Sequence, residues 1–79
     1  MLLEIGKNIK RLRLESGLTQ RLLAYRLRVS VQAVSKWERG AAYPDITLLP
    51  QIAKLFGVSI DRLFHDNDKK EIRLSDASK

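Results

Sequence analysis

Short stretches of helical periodicity, each opened by a capping hydroxyl residue or closed by a glycine, constrain this chain most. Ile5, Ile9 and Leu12 recur at spacings of four and three residues, which is typical of the buried stripe of a helix. Gly17 ends this first helix, and Thr19 opens the next one as its N-cap. The pattern predicts an all-α fold.

A second and a third helix are predicted on the two sides of a very short link. The second runs from Gln20 to Leu27 and the third from Val31 to about Arg39. Between them, Ser30 offers its hydroxyl to the free amides that open the third helix. Because the three-residue link 28–30 cannot hold a core of its own, the two helices are expected to meet at a tight angle.

Two more helices are predicted in the second half of the chain. The fourth is placed at Leu48 to Phe56 with Thr47 as N-cap, because Pro50 is harmless only in a first turn. Gly57 ends it, and Ser59 caps a last short helix that begins at Ile60. Residues 1–64 are therefore expected to form one domain. Residues 65–79 are polar and are predicted to be a tail that is flexible or binds a partner.

Charge and length narrow the class of protein. The chain has 79 residues and a formal charge of +6, and residues 1–40 hold nine Lys and Arg against three Glu. A basic half of this kind is expected to bind a polyanion. A membrane surface is disfavoured as the partner because the basic helices need their narrow apolar stripes for the core. With no cysteine and no apolar run of about 18 residues, a cytoplasmic chain is expected.

No catalytic or metal-binding constellation is expected. His65 is the single histidine, and no cysteine accompanies it. The nearby segment 66–68 lacks the glycine and the terminal glutamate of a calcium loop. Neither a metal site nor acid-base catalysis has its minimum of ligands, so the sequence predicts neither an enzyme nor a cofactor.

The order of these elements is that of a helix-turn-helix domain, and several short motifs extend the likeness. The runs 13–20, 35–40 and 55–59, together with Leu23-Ala24, Val29-Ser30 and Pro44-Asp45, resemble the Cro/XRE-type phage repressor family over residues 5–64. The resemblance implies a compact five-helix, lambda-repressor-like domain. It also implies binding to duplex DNA, usually as a dimer on an inverted repeat, and regulation of transcription.

The third helix, 31–39, is then the expected recognition helix in the major groove. Its outward positions Val31, Gln32 and Lys36 are predicted to contact bases. Gln32 can pair with the N6 and N7 atoms of adenine, Lys36 can donate to guanine O6 and N7, and Val31 can pack on a thymine methyl group.

Phosphate contacts are expected at the borders of that helix. The predicted residues are Gln20, which matches a phosphate-binding position of the family, and Arg21, Ser35 and Arg39. The backbone amides that follow Gly40 are expected to contribute as well.

The resemblance also assigns structural roles. Trp37, three residues after Val34, is expected in the core and not on a base, and Arg13 is expected to pair with Glu38 across the first and third helices. Arg28 stands where the family often has a small residue, so a positive φ there would cost about 1 kcal/mol.

Two functions remain open at this point. The first is a prokaryotic or phage-borne repressor-like regulator that depends on a homodimer, because one recognition helix reads few base pairs. The second is an antitoxin-type module that binds a protein through its tail and also binds its own promoter. Candidate dimer-interface residues are Leu63, Phe64, Ile72 and Leu74.

Overall fold

The computed structural model describes residues 4–65, and within them it contains helices and turns but no strand. The α-helices are α1 (Ile5–Glu15), α2 (Gln20–Leu27), α3 (Val31–Arg39), α4 (Leu49–Phe56) and α5 (Ile60–Phe64), and a 3-10 turn, Ile46–Leu48, precedes α4. The predicted five-helix, all-α fold is confirmed. None of these helices is long and apolar enough to cross a membrane. The predicted tail beyond His65, with Ile72 and Leu74, lies outside the described residues.

One apolar core lies between the helices. α1 packs on α3 and α5, α2 packs on α3, and α4 packs on α5. Every helix contributes buried side chains, namely Ile5, Ile9, Leu12, Leu23, Ala24, Leu27, Val34, Trp37, Leu49, Ile52, Ala53 and Leu63. The stripe predicted for α1 is confirmed, and so is the core position of Trp37. Leu63 is fully buried, so its proposed place in a dimer interface is wrong.

Contacts at the N-terminal half of α1 fix its position against α3 and α5. Gly6 lies so close to α3 that a Cβ atom there would overlap the carbonyl oxygen of Trp37. Two residues later, the buried Asn8 donates from Nδ2 to the carbonyl oxygen of Leu63 at 2.9 Å. This hydrogen bond satisfies a carbonyl at the end of α5, where the helix itself supplies no donor. The close contact at Gly6 and the hydrogen bond from Asn8 thus fix α1 against α3 and α5, respectively.

The link between α2 and α3 contains the one residue other than glycine with positive φ in the part of the chain that the structure describes. Arg28 adopts the left-handed conformation, with φ 61° and ψ 42°, and ends α2. The amide of Val29 then donates to the carbonyl of Ala24. A side chain in this conformation costs on the order of 1 kcal/mol or more relative to glycine. The strain anticipated at this position is therefore present.

Side-chain caps begin most of the helices as predicted. Thr19, Ser30 and Ser59 accept hydrogen bonds from the amides of Leu22, Ala33 and Arg62, respectively. Each bond satisfies an amide in the first turn that has no partner within its helix.

The start of α4 differs from the prediction. The residue before α4 is Leu48, which makes no side-chain cap hydrogen bond. The capping side chain lies one element earlier: Oδ1 of Asp45 accepts from both the amide and the hydroxyl of Thr47 at 2.9 Å and caps the 3-10 turn. Thr47 was expected to be the cap, but it lies inside the 3-10 turn and donates its hydroxyl. A carboxylate accepts hydrogen bonds from amides more strongly than a hydroxyl does, so Asp45 and not Thr47 provides the capping oxygen. α4 then begins one residue later than expected, and Pro50 lies in its first turn as predicted.

Candidate nucleic-acid interface

α3 presents two chemically different faces. Val34 and Trp37, three residues apart, are 0% and 4% exposed and attach the helix to the core. The N-terminus of the helix is fixed by Ser30, whose Oγ accepts from the amide of Ala33 at 3.0 Å. The opposite face is therefore held rigidly at the surface.

The three predicted base-contacting residues lie on this outer face. Val31, Gln32 and Lys36 are all exposed. Gln32 and Lys36 are four residues apart, so their side chains are neighbours on successive turns of the helix. An amide that donates and accepts, an ammonium and a methyl-bearing side chain thus share one surface.

Ser35 and Arg39 form a second pair one turn apart. The Nε atom of Arg39 donates to Ser35 Oγ at 3.4 Å, Arg39 is exposed, and Ser35 is half-buried. The bond restrains the long arginine side chain along the helix at the C-terminal half of α3. Both side chains lie on the side of α3 that faces away from Val34 and Trp37, and their phosphate contacts stay a prediction.

Gln20 lies at the first position of α2, immediately after the Thr19 cap. Its side chain is half-buried, and Nε2 donates to Oε1 of Glu38 on α3 at 3.0 Å. The adjacent Arg21 is exposed. The structure therefore brings Gln20 to α3, while Arg21 adds a positive charge beside it.

A buried ion pair lies beneath these residues. Arg13 and Glu38 have side chains that are 9% and 3% exposed, and the shortest contact joins Nε to Oε2 at 2.7 Å. A second bond joins Nη2 to Oε1 at 3.0 Å, so the pair is bidentate as a guanidinium and a carboxylate prefer. The hydrogen bond to Glu38 raises the pKa of Arg13 despite its desolvation. The pairing that the family resemblance implied is confirmed.

The backbone after α3 is engaged within the protein. Ala41 donates its amide to the carbonyl of Lys36 at 2.8 Å, and Ala42 donates to the same oxygen at 3.3 Å. Gly40, with φ 78°, allows this helix-ending turn. The prediction that amides after Gly40 bind phosphate is wrong for these two, because the last turn of α3 already uses them.

The hydrogen bond from Gln20 to Glu38 was not anticipated from the sequence. A signal did exist in the donor and acceptor count, because a buried carboxylate has about four acceptor sites and a bidentate arginine fills two. A further donor near Glu38 was therefore to be expected. Helical periodicity could not identify it as Gln20, because the two residues are 18 positions apart.

These features define a class of protein. The helices α2 and α3 meet through a tight link, and α3 presents a rigid polar face with exposed cations beside it. This arrangement is that of a helix-turn-helix DNA-binding domain. Among the described residues, no group of three potential metal ligands comes together.

Comparison with known proteins gives the same class. A family model described as helix-turn-helix matches residues 9–63. An uncharacterized HTH-type transcriptional regulator, y4dJ of Sinorhizobium fredii, is 38% identical over 82% of this chain and 84% of its own length. The HTH-type transcriptional activator BcrR of Enterococcus faecalis is 44% identical over 77% of this chain, but the chain spans only 30% of that relative. The solved structure of the P22 c2 repressor in complex with a synthetic operator is similar to this chain, with a TM-score of 0.71 and 30% sequence identity. The similarity covers 81% of this chain and 94% of the repressor chain.

The chain belongs to the Cro/C1-type (XRE) helix-turn-helix family, as its motifs indicated. The family is one of DNA-binding regulators and not of enzymes.

Proposed function

We propose that this chain is a sequence-specific transcriptional regulator that places α3 in the major groove of duplex DNA. The observation that carries the proposal is the division of α3 into a core-anchored face with Trp37 and an exposed face with Gln32 and Lys36. A helix anchored in this way can present its outer residues to base edges without moving. The operator in the P22 c2 repressor structure supports duplex DNA as the ligand.

In this proposal, sequence is read by three side chains. Gln32 recognises adenine through N6 and N7, Lys36 donates to guanine O6 and N7, and Val31 packs on a thymine methyl group. All three are exposed on α3. Each matched pair would contribute about 1–3 kcal/mol of discrimination against the wrong base.

Phosphate contacts set the position of α3 in the groove. Gln20 and Arg21 approach the backbone from the start of α2, and Ser35 and Arg39 approach it from α3. Contacts of this kind supply affinity and orientation but carry no direct sequence information. The +6 charge of the chain favours the same encounter.

We further propose that the regulator acts as a homodimer on an inverted repeat, in the cytoplasm where its DNA ligand lies. One recognition helix covers too few base pairs to select a site in a genome, whereas two copies double the readout. Exposed Ile60 and half-buried Phe64 on α5 are available for the contact between copies. Repression is the expected outcome if the operator overlaps a promoter.

The test is selection of the purified chain against randomised duplex DNA near physiological salt, followed by sequencing. An inverted repeat with half-sites about one helical turn apart supports the dimeric regulator and supplies its operator. A single half-site contradicts the dimer but leaves the regulator standing. Salt-sensitive binding without an enriched sequence contradicts specific readout, and the antitoxin-type alternative then becomes the better hypothesis.

A further inference from the structure

Glu38 connects three helices through one buried carboxylate. Its Oε2 accepts from Arg13 Nε at 2.7 Å, and its Oε1 accepts from Arg13 Nη2 and from Gln20 Nε2, both at 3.0 Å. The carboxylate belongs to α3, the guanidinium to α1 and the carboxamide to α2. With its side chain 3% exposed, Glu38 cannot itself reach a ligand.

We propose that Glu38 is a positioning residue for DNA binding, which orients the carboxamide of Gln20 toward a phosphate while Arg13 holds Glu38 in place. The inference rests on the proposed function, in which Gln20 contacts the DNA backbone. It assigns to the buried ion pair a role in affinity that is separate from its role in stability.

The orientation of the carboxamide follows from its chemistry. A carboxylate only accepts hydrogen bonds, so the NH2 group of Gln20 and not its carbonyl oxygen must face Glu38. One N–H then points inward, and the second N–H of the same nitrogen is left to donate to a phosphate oxygen. Without Glu38, the flipped amide would be equally accessible, and its carbonyl would repel the phosphate. Binding would then have to order the side chain as well.

Arg13 stabilises this arrangement from two sides. Its bidentate contact fixes both oxygens of Glu38, and its Nη1 donates to the carbonyl of Leu18 at 2.8 Å. Leu18 immediately precedes Thr19, the cap of α2, so the same guanidinium also positions the backbone from which Gln20 extends. Side chain and backbone of the predicted phosphate contact are thus held by one connected network.

A double-mutant cycle tests the proposal on the full chain. Arg13→Met with Glu38→Met removes both charges together, so no uncompensated buried charge remains and the chain is expected to fold. Gln20→Ala is then introduced into the native chain and into this variant. The dissociation constant for the selected operator is measured by fluorescence anisotropy at a temperature where circular dichroism shows every variant folded.

We expect Gln20→Ala to weaken binding about tenfold in the native chain, as for loss of a hydrogen bond to a charged group. The Arg13→Met/Glu38→Met variant should be weakened by a similar factor, and adding Gln20→Ala to it should change the constant less than about twofold. Arg39→Ala is the matched control, since Arg39 has no bond to Glu38 in the structure and should keep its full effect in both backgrounds.

The salt dependence separates positioning from general damage. Gln20 is uncharged and the paired substitution is charge-neutral, so the slope of log K against log salt should stay unchanged. A shallower slope would mean that α3 itself has moved away from the phosphates, and it would overturn the proposal. Equal effects of Gln20→Ala in both backgrounds, or no effect in the native chain, would also overturn it. Either result leaves the proposed function intact if the native chain still selects an operator, whereas failure of that selection contradicts the proposed function itself.

Discussion

Arg13 and Glu38, 25 positions apart in the chain, share a bidentate ion pair that joins α1 to the end of α3 beneath the exposed face of that helix. The pair is buried and connects α1 to the helix that carries the predicted base contacts, so its loss is expected to loosen the attachment of that helix. The pKa of Arg13 is raised above the ordinary pKa of arginine, so the guanidinium stays charged at every pH below that ordinary pKa. Alkaline conditions in this range therefore leave the ion pair intact.

Breaking one side of the pair is expected to be far more damaging than removing both sides. Arg13→Met or Glu38→Met alone should lower the free energy of unfolding by about 3–5 kcal/mol, because a buried charge loses its partner. The two substitutions together should bring stability back to near the native value. Urea unfolding at low temperature, followed by circular dichroism, measures all four chains. Additive losses in the double variant would show that the pair is not coupled.

Gln32→Ala and Lys36→Ala should relax sequence preference. Each is expected to reduce discrimination at one base pair by about 1–3 kcal/mol, because a side chain that matches a base edge is lost. Binding to the selected operator and to its single-base variants measures the effect. Gln51→Ala and Lys54→Ala are the matched controls, as these exposed side chains lie on α4. Unchanged preference after Gln32→Ala would mean that the assumed orientation of α3 is wrong.

Arg39→Ala should weaken binding to every duplex to about the same extent. A lost phosphate contact lowers the magnitude of the slope of log K against log salt by about 0.9. The measurement is a salt titration with the operator and with an unrelated duplex of the same length. Lys54→Ala removes the same charge from α4 and should leave the slope unchanged, provided that this helix stays off the DNA. A change confined to the operator would instead assign Arg39 to base recognition.

Arg28→Gly should stabilise the link between α2 and α3. Glycine occupies the left-handed region at φ 61° without the Cβ strain that arginine bears, and the expected gain is about 1 kcal/mol. Thermal unfolding gives the shift in Tm. Arg28→Ala removes the same charge but keeps the Cβ atom, so it should bring no such gain. Equal stabilisation by both variants would attribute the effect to charge.

Asp45 should make the 3-10 turn that precedes α4 sensitive to acid. Hydrogen bonds from the amide and hydroxyl of Thr47 lower the pKa of this carboxyl below its ordinary value of 3.8. The stabilisation is therefore complete above that value and is lost as pH falls through the lower folded-state pKa. Asp45→Asn keeps an acceptor but cannot titrate. The Tm difference between the native chain and Asp45→Asn should be largest near neutral pH and shrink as the pH falls below 3.8. A constant difference would contradict the assignment.

Local signals in the sequence determined the helices, their caps and the outward face of α3. Thr19, Ser30 and Ser59 act on amides only three residues away, and Trp37 lies in the core because it follows Val34 by one helical turn. Interactions between residues only three positions apart can be predicted directly from the sequence, because the helix geometry fixes their distance. At the start of α4 the same kind of signal was ambiguous, because two capping oxygens, those of Asp45 and Thr47, lie two residues apart.

Contacts between distant parts of the chain were decided only by the tertiary structure. The bond from Gln20 to Glu38 spans 18 positions, and the bond from Asn8 to Leu63 spans 55. Helical periodicity states which face of a helix is buried, but it does not state which residue of another helix that face will meet. The family motifs supplied the pairing of Arg13 with Glu38 in advance. The place of Gln20 in that network follows from the packing of α1, α2 and α3, which brings three polar side chains within hydrogen-bonding distance at a buried position.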